Sequence, residues 1–103
     1  MAVTIRGTVK SILIDRTSIY IQIIPKDIVN GKTVTYGHHI NHIRGYNLTE
    51  ESKIMVLNNS INIDLLYQLK LNKNLVHFYI TKQYNNILQI DEFSLIGMEI
   101  SDE

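Results

Sequence analysis

Residues 53–80 read KIMVLNNSINIDLLYQLKLNKNLVHFYI, and this stretch decides the fold. Ile54 to Asn58 (IMVLN) is a short apolar run, which predicts a strand. Asn62 to Asn72 (NIDLLYQLKLN) is the one good helix in the chain. Ile63, Leu66 and Tyr67, with Leu69 or Lys70, recur at helical spacing. Asn62 can cap the start, and Asp64 suits the positive end of the helix dipole. Asn72 and Asn74 fit its end. LVHFYITK then alternates, with Val76, Phe78 and Ile80 on one face and Leu75, His77 and Tyr79 on the other, as a half-buried strand requires.

Downstream, QYNN (Gln83 to Asn86) reads as a hairpin turn and ILQIDEFSLIG as the last strand. Leu88 and Ile90 share one parity there, and Phe93 and Leu95 the other, which predicts a bulge near Asp91-Glu92. Residues 97–103 read as a fraying acidic end.

Upstream, residues 3–14 (VTIRGTVKSILI) begin by alternating, with Val3, Ile5 and Val9 inward and Thr4, Arg6, Thr8 and Lys10 outward. Gly7 falls on the apolar side, where a small barrel needs room to bend. The apolar parity then flips to Ile12 and Ile14, a second bulge signal. After a turn at Asp15 to Ser18, Ile19, Ile21 and Ile23 face inward, and Tyr20 and Gln22 outward. PKDIVNGK reads as a loop with an Asn30-Gly31 turn. TVTYGHHI is β-branched and aromatic, so it is expected to be extended. Residues 41–53 are polar and irregular.

The resulting order is strand, strand, an added hairpin, strand, helix, strand, strand. The expected fold is all-β: a small five- to six-stranded Greek-key barrel with one helix before the last two strands, formed by residues 1–103 as a single domain. The alternative is an α+β domain with the helix packed on an antiparallel sheet. The layout resembles the oligonucleotide/oligosaccharide-binding (OB) barrel, with its long, bent first strand and its helix between the third and fourth strands. From KIMVLN onward it is similar to the bacterial single-stranded DNA-binding protein and its primosomal relative. It departs from them in its zero net charge and in lacking tryptophan and a long acidic tail.

Composition narrows the function. Hydrophobic residues make up 45% and charged residues 19% of 103 residues, enough apolar content for a core. With no cysteine, disulfides, thiolate metal sites and cysteine nucleophiles are excluded. MAVTIRGTVK does not read as a signal peptide, and no apolar run reaches the ~18 residues of a membrane helix. A cytoplasmic protein is expected, and the abundance of Ile, Asn and Lys hints at an AT-rich bacterial or phage genome. Ten cations balance ten carboxylates, which weighs against strong nonspecific nucleic-acid binding but leaves a local basic face open.

His38, His39 and His42 invite a metal reading. Zinc needs nitrogens about 2.0–2.1 Å from one point. On a strand, His38 and His42 would stand about 13 Å apart with His39 facing away, and Gly37, Asn41 and Gly45 disfavour a helix that would gather them. No metal site and no cofactor are expected. No G-x-S-x-G, P-loop or G-x-G-x-x-G occurs, and the neighbouring carboxylates Glu50-Glu51 and Asp91-Glu92 would point apart on extended chain. A binding module is therefore expected rather than an enzyme.

What the OB resemblance implies is a ligand face on the outward side of the second and third strands. Tyr20, Gln22, Tyr36 and His38 would line it, with Arg6, Lys10, Lys32 and Arg44 at its rim. Aromatics stack bases and cations meet phosphates, so single-stranded DNA or RNA is the expected ligand. The alternative is a protein-interaction or oligomerisation module, with a protein partner or a second copy of the chain meeting Ile24, Met55, Leu57 and Leu75.

Overall fold

The computed structural model describes residues 2–30, 32–35, 48–57 and 61–101. Its elements are β1 (Ala2–Ile14), β2 (Ile19–Val29), β3 (Lys32–Thr35), β4 (Ile54–Val56), α1 (Ile63–Asn72), β5 (Val76–Asn85) and β6 (Ile90–Ile100). The sheet order is β1-β5-β6-β4-β2-β3, and a further β1–β2 pairing closes five of these strands into a barrel. β4 and β6 run parallel and all other pairs antiparallel. This small all-β barrel, with its helix ahead of the last two strands, is consistent with an OB-like fold.

Closure depends on β1. Its first half pairs with β5 and its second with β2, and Gly7 stands at the changeover, opposite both Val76 and Pro25. A Cβ on Gly7 would overlap the carbonyl oxygen of Ile24 and lie 3.1 Å from Pro25 Cα. Glycine is what lets the two backbones approach this closely. The expected bulge follows at once: the register with β2 shifts between Val9 and Ser11, so Lys10 is the extra residue. Beyond it Ile12 packs against the core, whereas Ile14, expected inward, is 59% exposed because β1 has run past the barrel end.

The alternating residues fill the barrel. Val3, Ile5 and Val9, Ile21 and Ile23, Ile54 and Val56, Val76, Phe78 and Ile80, and Phe93 and Leu95 form one buried cluster. Each such side chain contributes about 1.5–3 kcal/mol when removed from water. α1 adds Leu66 and Leu69. Tyr67, expected on that face, is 45% exposed. Asn62 caps α1 by accepting from the Asp64 amide at 2.8 Å, and Lys73 ends it in the left-handed conformation at φ 53°. Leu48, from the stretch read as polar and irregular, is fully buried.

Other boundaries differ from the sequence reading. β2 continues through Pro25 to Val29 instead of breaking at the proline. Pro25 sits where β2 leaves β1 for β3, so its missing N–H falls at a break in the ladder. Of the expected Asn30-Gly31 turn, Gly31 lies outside the described residues; Val29 pairs with Lys32, and Asn30 takes φ 53°. Gln83 to Asn85 are strand, and the β5–β6 turn lies at residues 86–89. There the Asn85 side chain accepts the amides of Ile87 and Leu88, each at 3.0 Å, and Gln89 takes φ 55°. The bulge in β6 is at Ile96, not Asp91-Glu92: Ile80 pairs with Leu95 but Tyr79 with Gly97. Leu88 and Ile90 misled the parity because the hairpin overhangs the barrel and leaves them in water. β6 also holds through Ile100, and Ser101 donates its amide to Leu75 at 2.8 Å, so residues 97–101 are paired where fraying is expected.

Candidate functional site

Two open grooves mark the described surface, and they carry opposite charge. The first, about 480 Å³, is lined by Thr8, Val9 and Lys10 of β1, Ile24 and Lys26 of β2, Lys70 of α1, and Lys73 and Leu75. Among the described residues, four lysines converge there and no carboxylate lines it. Local structure brings them together. The β1 bulge turns Lys10 out, the extension of β2 past Pro25 carries Lys26, and the left-handed helix end presents Lys73 beside Lys70. Lys10 also meets the Glu51 carboxylate at 3.1 Å, an exposed pair of the kind worth about 0.2–1 kcal/mol.

The second groove, about 710 Å³, lies at the opposite end of β2, between the chain leading into β4 and the β5–β6 hairpin. Tyr20, Met55, Phe93, Leu88 and Ile90 give it an apolar lining. Among the described residues, Asp15, Glu51, Asp91 and Glu92 give it four carboxylates against one cation, Lys53. The Glu51 side is built by a turn: the Thr49 amide donates to Ser52 Oγ at 2.9 Å, the Ser52 amide to the Thr49 carbonyl at 3.1 Å, and the Glu51 amide to Thr49 Oγ1 at 3.2 Å. Buried Leu48 anchors this turn to the barrel. The signal for it was Thr49 to Ser52 itself, hydroxyls spaced to bond the intervening backbone.

The structure separates the expected site residues. Tyr20 is half-buried between Leu13 of β1 and Met55 of β4, in the acidic groove. Gln22 accepts the Ser11 hydroxyl and donates Nε2 to the Glu51 carbonyl at 3.1 Å, so its amide ties β1, β2 and the 48–53 turn together. Arg6 is half-buried opposite His77 and lines neither groove. Lys10 lines the basic cleft, and Lys32 opens β3 opposite Val29. Tyr36, His38 and Arg44 lie outside the described residues, as do His39 and His42. Lys26, Lys70 and Lys73 were not singled out from the sequence, because their convergence depends on where β2 and α1 end.

Tyr79 is not a free stacking platform. Its ring lies 3.4 Å from the position a Gly97 Cβ would take, and its hydroxyl bonds Glu99. Partial burial first, and then the Glu99 carboxylate, hold its phenol above the ordinary value. Among the described residues, no group of three or more His, Asp or Glu could hold a metal ion, and no helix is long and apolar enough to cross a membrane. Comparison with family models, curated proteins and solved structures finds no match to this chain.

Proposed function

We propose that this chain is a non-enzymatic binding module of the OB type that holds single-stranded nucleic acid by its phosphates in the lysine cleft. The observation that carries the reading is the convergence of Lys10, Lys26, Lys70 and Lys73 on one cleft, with no carboxylate among its described lining residues. Flexible ammonium groups on an open groove suit a chain of phosphates that passes by. The Tyr20 face suits it poorly, since a polyanion entering there would meet four carboxylates. With no aromatic side chain among the described residues of the cleft, binding there is sequence-tolerant and mainly electrostatic. Tyr36, His38 and Arg44, in the chain between β3 and β4, are the further proposed contacts. A bacterial or phage cytoplasm is the proposed setting, on composition alone.

Fluorescence anisotropy of a labelled oligothymidylate across a salt series tests the reading. Affinity falls with salt by about 0.7 log units per log unit for each phosphate neutralised. The double variant Lys70→Glu/Lys73→Glu, altered at two exposed positions, loses binding by about tenfold or more, whereas Lys53→Glu in the other groove does not. No binding at low salt, or equal loss in both variants, removes the nucleic-acid reading.

A further inference from the structure

The acidic groove joins an apolar surface that none of the described residues packs against. The β5–β6 hairpin carries Ile87 at 92%, Leu88 at 61% and Ile90 at 50% exposure, with Tyr84 also in water. Large aliphatic side chains at a hairpin tip contribute nothing to the barrel, and contiguous exposed apolar surface marks interaction sites. Phe93 and Met55 continue this surface into the groove, beside Tyr20.

The same place offers backbone. β4 pairs with β6 only from Phe93 onward, so Ile90, Asp91 and Glu92 pair with β5 alone among the described residues. Their other edge faces the groove. An extended peptide can add to such an edge, taking affinity from main-chain hydrogen bonds and selectivity from alternate side chains. The carboxylates settle which side chains these are. Asp91 and Glu92 stand on the edge itself, and Asp15 and Glu51 stand across the groove.

We infer that this groove is a docking site for a partner protein's extended segment, in which Lys or Arg alternates with large apolar residues. The segment adds to the β6 edge at Ile90–Glu92, sets its apolar side chains against Tyr20, Met55 and Ile90, and points its cations at Asp91 and Asp15. This occupant is the charge opposite of the one proposed for the lysine cleft, and the two surfaces meet at the Lys10–Glu51 ion pair. A protein that holds nucleic acid on one side and a basic, apolar tail on the other would act as an adaptor.

Two synthetic peptides of equal length test this, one alternating Arg with Leu and one with every Arg replaced by Glu. Titrated into the 15N-labelled full chain, the Arg peptide moves the amide signals of Tyr20, Met55 and Ile90 to Glu92 and slows exchange of the β6-edge amides. The Glu peptide does neither. Leu88→Asp and Asp91→Lys each weaken the Arg peptide by about tenfold. Both sites lie in the overhanging hairpin, and unchanged backbone signals elsewhere verify the fold. Equal binding of the two peptides, shifts centred elsewhere, or insensitivity to both variants overturns the proposal. So does concentration-dependent self-association through the hairpin that the Arg peptide cannot displace, since the occupant would then be a second copy of the chain.

Discussion

Gly7 and Lys73 are two residues at which the backbone decides more than the side chain. At Gly7 a methyl group would strike the Ile24 carbonyl, which is backbone and cannot rotate away. Gly7→Ala is therefore expected to lower stability by about 1–3 kcal/mol, the usual cost of overpacking, read as a drop in the urea midpoint. Lys73 is the reverse. It holds a left-handed helix end where glycine would cost less. Lys73→Gly is expected to raise stability by about 0.5–1 kcal/mol while weakening oligonucleotide binding. A variant that is both more stable and a poorer binder would separate the lysine's role in the cleft from any role in folding. Tyr79 gives a pH test. Its phenol is raised above 10.0 in the folded chain, so the folded state keeps its proton longer than the unfolded state. Stability from this residue is full below the ordinary phenol value and declines as pH rises through the raised one. Tyr79→Phe is expected to flatten the fall in urea midpoint across that range; an identical fall in both proteins would contradict it.

At the scale of elements, α1 was the most legible part of the chain. Its cap, its first-turn aspartate and its spacing all pointed to one helix, and Asn62→Ala is expected to cost about 0.5–2 kcal/mol in thermal or urea unfolding through the lost Asp64 amide bond. The inward residues of β1, β2 and β5 were legible for the same reason: period-two burial leaves a direct mark in sequence. The hairpin arm was not. Leu88 and Ile90 are apolar yet stand in water, and parity reasoning assumes that apolar means buried. Pro25 reads as a break because sequence does not reveal that a strand changes partner there. The candidate site was the least legible. Lys10 was singled out, but Lys26 and Lys73 depend on where β2 and α1 end, and Gln22 looked free because its bonds reach Ser11 and Glu51, distant in sequence.

For the whole molecule, zero net charge conceals a division. Among the described residues, four lysines meet in one cleft and four carboxylates line another, at different ends of β2, and the two touch only where Lys10 meets Glu51. A chain with these charges interspersed would have no preference between a polyanion and a basic peptide; this one offers each a different surface. Amide shift mapping of the 15N-labelled chain with oligothymidylate at low salt tests this division most directly. Shifts concentrated at Lys10, Lys26, Lys70 and Lys73, with Tyr20, Met55 and Ile90 to Glu92 unmoved, are the predicted result. Shifts centred on Tyr20 and the β6 edge would contradict it.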